Sequence, residues 1–326
     1  MPEFVLAAGD VLEKVLDETF PLWGEGLSRR AYAQWNLAQM RTPWGSRHLR
    51  RFALVDSAGV LASAKRYDLI MRVDGAEVPT LGIGAVFTPP SARGRGHAAS
   101  IVAALEQAAA RDGARLALLF SEIGPAYYER LGFATVPVQT MDIEVRRGKG
   151  APAVMVRAGE ERDATEVAAM MVERASAFRL ALRPDAEQVA YSVARKRLFA
   201  GLDASGRRRV EYFVAEEGQR AVAFVLLHVS HGVAGAPEVW SLEACGDRDP
   251  SGARIGAILQ VLVARQPAAG PSVIRGWWPA SLGPPQLRLT ARPPAGEVMM
   301  VKSLDPNLCP ASFEACDVLY WHGDAF

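Results

Sequence analysis

The chain has 326 residues, half of them apolar, three cysteines and a formal net charge of +1. Such a length holds two domains, and the near-neutral balance excludes a field for nucleic acid or for an acidic membrane surface. No apolar run approaches the roughly 18 residues of a spanning helix, and no signal peptide opens the chain. The expectation is a cytoplasmic protein with free thiols at Cys245, Cys309 and Cys316, whose spacing fits no metal site.

Residues 10–20 are helical in pattern, with Val11, Leu12, Val15 and Leu16 apolar, and a second helix is expected over Ser28–Met40 with Ser28 as its N-cap. Strand patterns follow at 51–56, 60–73 and 77–88, separated by Ser57-Ala58-Gly59 and Asp74-Gly75, which read as hairpin turns. Trp23, Tyr32, Trp35 and Trp44 are numerous for so short a region.

The stretch from Leu81 to Phe133 organises the rest. An apolar run ending Val86-Phe87-Thr88 leads through Pro89-Pro90-Ser91-Ala92 into the turn Arg93-Gly94-Arg95-Gly96-His97-Ala98. A helix then places Ala98, Ile101, Val102, Leu105, Ala108 and Ala109 on one face, and Asp112-Gly113 ends it. A second apolar run, Leu116–Phe120, precedes Ser121-Glu122-Ile123-Gly124, and Tyr127-Tyr128-Glu129-Arg130-Leu131-Gly132-Phe133 closes the stretch. Strand, glycine turn, helix, strand is an anion site in outline. The first amides of a helix lack intrahelical partners and carry the positive end of its dipole. Gly94 and Gly96 admit close approach of a ligand, and Arg93 and Arg95 add charge. The implied ligand is a phosphate or pyrophosphate. Gly94-x-Gly96-x-x-Ala99 also fits the dinucleotide fingerprint, with Glu122 near the place of a ribose-binding acid. Against that reading, Pro89-Pro90-Ser91-Ala92 intervene between the strand and the glycine turn.

Arg93-x-x-Gly96-x-Ala98 is similar to the (Gln/Arg)-x-x-Gly-x-(Gly/Ala) loop of the GCN5-related N-acetyltransferases (GNAT), and Tyr128-x-x-x-Gly132-Phe133 is similar to their downstream Tyr-x-x-x-Gly-Phe element. Both occur in order over roughly residues 52–138. The resemblance implies an α/β (α+β) acyl-CoA N-acyltransferase fold and acetyl-CoA as cosubstrate, with no metal. It implies coenzyme contacts from Val86, Phe87 and Thr88, whose strand splays from its neighbour, and from Arg93, Gly94, Arg95, Gly96, His97 and Ala98 in the turn. Ser121 is either a contact to the pantetheine arm or a strand-end cap. The early aromatics are then either core or the wall of an acceptor pocket, since the first two helices flank the acceptor site in this family.

A strand at 138–145 is expected to end a first, catalytic domain at residue 146, with 147–152 as a charged, glycine-rich linker. Residues 153–326 then read as a worn copy of the first domain. Strands are expected at 153–157, 210–216, 221–229, 238–244 and 272–277, and helices at 161–173, 185–199 and 255–264. The turn before that last helix, Asp249-Pro-Ser-Gly252-Ala-Arg-Ile-Gly256, lacks Gly-x-Gly, and no Tyr-x-x-x-Gly-Phe follows. The second GNAT domain is therefore expected to be degenerate. A last strand at 297–304 precedes an aromatic end, Tyr320-Trp321-His322-Gly323-Asp324-Ala325-Phe326, which suggests a buried terminus.

Tandem domains, Ser121-Glu122 and a final Phe326 resemble the enhanced-intracellular-survival family of aminoglycoside acetyltransferases, without its sterol-carrier-like domain. That resemblance implies a C-terminal tail reaching the first domain, with the Phe326 carboxylate as base; Glu122, Asp324 and His322 are the alternatives. Acetyl transfer from a thioester to a neutral amine also needs a donor to the carbonyl oxygen and one to the leaving thiolate. The resemblance gives the first role to the backbone amide of Val86 or Phe87 and the second to Tyr128, with Tyr127 as the other candidate. The implied activity is N-acetyltransfer to a primary amine of a small molecule: an aminoglycoside-like polyamine, or a free amino acid, given a Phe120-Ser-Glu-Ile-Gly-Pro125 run similar to that of fungal lysine acetyltransferase-like proteins. The alternative is a coenzyme A-binding sensor or scaffold without catalysis. The sequence does not fix the oligomeric state.

Overall fold

The computed structural model describes residues 2–146, 153–230, 238–266, 274–279, 282–292, 296–308, 313–321 and 323. In chain order the elements are β1 (Glu3–Leu6), α1 (Gly9–Trp23), α2 (Arg29–Arg41), α3 (Pro43–His48), β2 (Leu49–Asp56), β3 (Gly59–Val73), β4 (Ala76–Phe87), α4 (His97–Arg111), β5 (Leu116–Ser121), α5 (Ala126–Glu129), β6 (Ala134–Thr135) and β7 (Thr140–Val145). There follow β8 (Met155–Ala158), α6 (Ala164–Ala175), β9 (Leu180–Leu182), α7 (Ala186–Leu202), β10 (Arg208–Glu217), β11 (Arg220–Ser230), β12 (Val239–Asp247), α8 (Ala253–Ala264), β13 (Ile274–Trp277), β14 (Leu287–Arg292), β15 (Val298–Ser303) and β16 (Val318–Leu319).

Local chemistry sets many of these boundaries. Ser28 accepts the Ala31 amide at the start of α2, as expected. Thr42 does the same for Gly45 at the start of α3, where Pro43 stands at the first helical position and needs no donor. Asp74 and Gly75 both take positive φ, 47° and 90°, the conformation that lets a two-residue hairpin follow the twist of its strands.

The chain forms two compact units. The first contains residues 1–136 and 296–313, and its sheet runs β1-β2-β3-β4-β5-β15-β6. Neighbours are antiparallel along β1 to β4 and parallel where α4 crosses from β4 to β5. One face carries Ile101, Val102, Leu105 and Ala109 of α4, packed with Leu81, Ile83, Leu119 and Met300. Beneath α1 and α2 a buried polar set bonds internally: the Thr19 and Tyr32 hydroxyls lie 2.9 Å apart, and Arg51 donates to Asn36 at 3.0 Å. The second unit contains residues 137–295 and 314–325, with its sheet ordered β8-β10-β11-β12-β13-β7-β14. Its pairing repeats that of the first, including the parallel crossover from β12 through α8 to β13.

Strand pairing divides the chain differently from sequence order. The strand expected to close the first domain, β7, pairs antiparallel with β13 and β14 in the second sheet. The strand expected to end the second domain, β15, lies between β5 and β6 in the first. Each sheet thus borrows its sixth strand from the other half of the sequence. A boundary at 146 with everything from 153 in one domain does not describe the two units. The reason is physical: an antiparallel partner for β5 or β13 is selected by register and burial, and adjacency in sequence carries no weight once both halves are collapsed.

Candidate active site

Two of the described features of the turn are its openness and its lack of a side-chain cap. After β4, residues 90–92 make one turn of 3-10 helix and the chain swings through Arg93 to Gly96. Gly94 and Gly96 take φ of 76° and 80°, and a Cβ on either would meet nothing within 4 Å. Gly96 caps α4 in the left-handed conformation, and among the described residues no side chain accepts from the first amides of the helix. The first turn of α4 contains no acid. The positive end of the dipole at His97, Ala98 and Ala99 therefore faces outward with room for an anion. Arg93 and Arg95 are exposed beside it. Arg93 Nε also donates to the Thr88 carbonyl at 3.2 Å, tying the turn to the end of β4.

That end of β4 is bulged. Ala85 has φ of +48°, rare for a residue with a side chain, and the β3–β4 register shifts between Ser63 and Lys65. Parallel pairing with β5 stops at Ile83–Leu119. Residues 84–87 thus run past the ladder on their β5 side, with Val86 half-buried and Phe87 buried. Ala85 escaped the sequence reading because an alanine in an apolar run carries no signature of a bulge.

Tyr128 stands on the short helix α5, buried to 8% exposure. It packs edge-on against Tyr127 and Phe133, with ring centroids 5.1 and 5.9 Å away. Its carbonyl accepts from the amides of Leu131 and Phe133 at 2.9 and 3.0 Å, and Gly132, at φ 88°, makes that reversal possible. The Tyr-x-x-x-Gly-Phe spacing is thus the spacing of a helix stop that fixes the phenol. Burial, followed by the nearby Tyr127 and Glu122, pushes the Tyr128 pKa up to about 12. At neutral pH the group is a phenol, able to donate a proton. Ser121 is 2% exposed and donates to the Gly124 carbonyl at 2.6 Å, so its hydroxyl closes the turn after β5.

The early aromatics divide. Tyr32 and Trp44 are core, the latter stacked on His48 at 5.2 Å. Trp23 and Trp35 are half-buried. Trp23 meets Phe87 of β4 edge-on at 6.2 Å, and the Lys65 ammonium sits 5.6 Å over Trp35. The face of the sheet beside the bulge is therefore walled by aromatic rings from α1 and α2. Phe326, His322 and Asp324 lie outside the described residues. A separate cavity of about 560 Å³ lies toward the far end of α4, near Ala109 and Asp112. Its polar floor is the ion-pair chain Arg50–Asp68–Arg66–Asp112, with contacts of 2.7–2.8 Å.

Residues 16–136 match the family model of the acetyltransferase (GNAT) domain. No curated protein matches the sequence. Among solved structures, a GCN5-related N-acetyltransferase from Kribbella flavida is similar over 94% of this chain and 72% of its own, with TM-score 0.67 and 16% identity. Eis1 from Mycobacterium abscessus is similar over 94% of this chain and 74% of its own, with TM-score 0.59 and 14% identity. The N-myristoyltransferase of Saccharomyces cerevisiae with bound myristoyl-CoA is similar over 92% and 82%, with TM-score 0.54 and 12% identity. At such identities the likeness is one of fold, and it extends over 92–94% of this chain. Residues 16–136 are thus a GNAT acetyltransferase domain, the domain of acyl-CoA-dependent acetyltransferases.

Proposed function

We propose that the first unit transfers acetyl from acetyl-CoA to a primary amine of a small-molecule acceptor by direct attack, and that the second unit is its degenerate copy. The observation that carries this is the uncapped start of α4, with two open left-handed glycines, on the same unit as a buried, protonated Tyr128.

The residues present fit the cosubstrate. The amides of His97 and Ala98, with Gly94, Gly96, Arg93 and Arg95, would hold its pyrophosphate. The backbone of Val86, Phe87 and Thr88 would pair with its pantetheine arm, and Ser121 would contribute through the turn it closes. Acetyl-CoA supplies the activated acyl group and a thiolate leaving group. The chain's part is to hold that group against the amine. An amide of Val86 or Phe87 donates to the carbonyl oxygen as charge develops there, and Tyr128 protonates the departing sulfur. The Phe326 carboxylate is our proposed base. The aromatic wall of Trp23 and Trp35 suits an acceptor with an apolar body. The test is coenzyme A thiol release from acetyl-CoA across aminoglycosides, free amino acids and simple amines. Turnover with one class names the acceptor; coenzyme binding without turnover on any amine refutes the catalytic reading.

A further inference from the structure

The second unit repeats the elements that make the candidate coenzyme groove, so the two can be compared atom by atom. In it β12, α8 and β13 take the places of β4, α4 and β5. Gly252 caps α8 in the same left-handed conformation as Gly96, at φ 69°. The β11–β12 register shifts between Leu226–Ala244 and Leu227–Leu242, which leaves Glu243 as the extra residue of a bulge, as at Ala85. What differs is what fills the groove.

At the helix start, the Asp247 carboxylate takes the place of an external anion. Its Oδ2 accepts the Arg254 amide at 2.9 Å, while Oδ1 accepts the Asp249 amide at 2.8 Å and Arg254 Nη1 at 3.1 Å. That side chain has no exposed surface. Ser251 Oγ accepts the Ala253 amide at 3.3 Å. A Cβ on Gly252 would lie 3.2 Å from both Leu282 and Pro284, whereas one on Gly96 would meet nothing. At the other end, among the described residues β12 and β13 pair at Trp240–Ile274 and Ser241–Arg275. The chain's own tail adjoins both strands just beyond. Trp321, 1% exposed, packs edge-on against Trp277 of β13 at 5.0 Å. Gly323 seats so close to β12 that a Cβ would come within 2.7 Å of the Glu243 carbonyl oxygen. Lys196 binds the Glu243 carboxylate at 3.1 Å and the Gly323 carbonyl at 3.5 Å, pinning the tail there.

We infer that the second unit's coenzyme groove is filled from within: Asp247 replaces the phosphate at the helix start, and Trp321 and Gly323 replace the pantetheine arm beside β13 and β12. This rests on reading the first unit's turn as a phosphate site. It deepens that reading by giving a reason why only one groove is open. A buried carboxylate bonded by two backbone amides and a guanidinium satisfies the helix start, and its charge repels an incoming phosphate. Trp321 and Gly323 are then structural ligands of their own unit.

Chemical rescue in the intact chain tests this. Asp247→Ala leaves the Asp249 and Arg254 amides without their acceptor and takes the Oδ1 partner from Arg254 Nη1, while Glu217 still holds Nε and Nη2, and formate is the anion that restores the lost acceptor. Denaturant midpoints are compared in sodium formate and in sodium chloride of equal ionic strength. The Asp247→Ala midpoint rises saturably with formate, that of the unsubstituted chain does not, and Asp247→Asn, which keeps one acceptor oxygen, responds less than Ala. Equal responses in all three chains overturn the assignment. Should the Ala chain not fold, the coenzyme stoichiometry of the unsubstituted chain decides. One coenzyme A per chain supports a filled second groove, and two overturn it. An absence of coenzyme binding would count against the first unit's turn, while the formate comparison of Asp247→Asn with the unsubstituted chain still decides for Asp247, equal responses overturning the assignment.

Discussion

Met300→Ala is expected to destabilise the first unit, although the residue lies in the last tenth of the sequence. Met300 is fully buried on β15, opposite Leu119 of β5 and Thr135 of β6, in the core cluster that holds Ile101, Leu105 and Tyr128. Truncation removes three heavy atoms and leaves a cavity under α4; for a buried methionine that costs about 2–5 kcal/mol. A domain's whole stability is about 5–15 kcal/mol, so the loss is a large share. The assay is equilibrium denaturation of the full chain with and without acetyl-CoA, followed by tryptophan fluorescence. The variant should lose several kcal/mol in the transition that acetyl-CoA shifts. Ile143→Ala, at the equivalent buried site on β7, should weaken the other unit instead. A Met300→Ala loss below about 1 kcal/mol, within the range of a surface change, would refute the strand exchange.

Other outcomes follow from the site. Tyr128→Phe should lower turnover by about 10²–10⁴-fold, the usual worth of a positioned proton donor, with coenzyme affinity nearly unchanged; equal turnover removes the phenol from the mechanism. Because the folded Tyr128 pKa, about 12, lies above the unfolded value near 10, its protonated form is favoured by folding. That contribution, about 2–3 kcal/mol, is fully present below pH 10 and lost as pH rises through 12. A Tyr128→Phe chain should therefore lack the corresponding fall in stability between pH 10 and 12, and an identical fall in both chains would contradict the burial argument. Gly96→Val should weaken acetyl-CoA binding at least tenfold, for about 1–2 kcal/mol of left-handed strain rather than any clash. Unchanged affinity would mean the helix start is not the phosphate site. Deleting Phe326 should remove the acidic limb of the pH–rate profile if its carboxylate is the base; an unchanged limb passes that role to another group.

Much of the groove was legible because its signals are local. Glycines at 94 and 96, the helical spacing after them and the stop at Gly132 each dictate backbone conformation within a few residues. Asp247 was not legible as an internal anion, since nothing in its neighbours marks an acid aimed at amides two and seven residues ahead. The strand exchange was hidden for a different reason. Residues 140–145 and 298–303 are both six-residue strands with no local mark of which sheet they join, and register against β13 and β5 decides it. β1 was missed because four residues are too few for periodicity. The Tyr32 and Trp44 rings sit in the core while Trp23 and Trp35 line a face, a distinction that depends on which way α1 and α2 roll against the sheet.

Calorimetric titration of the full chain with acetyl-CoA tests the central claim most directly. The account predicts saturable binding of one molecule per chain, weakened by Gly96→Val and indifferent to Tyr128→Phe. Absence of binding, or binding that ignores Gly96, would contradict it.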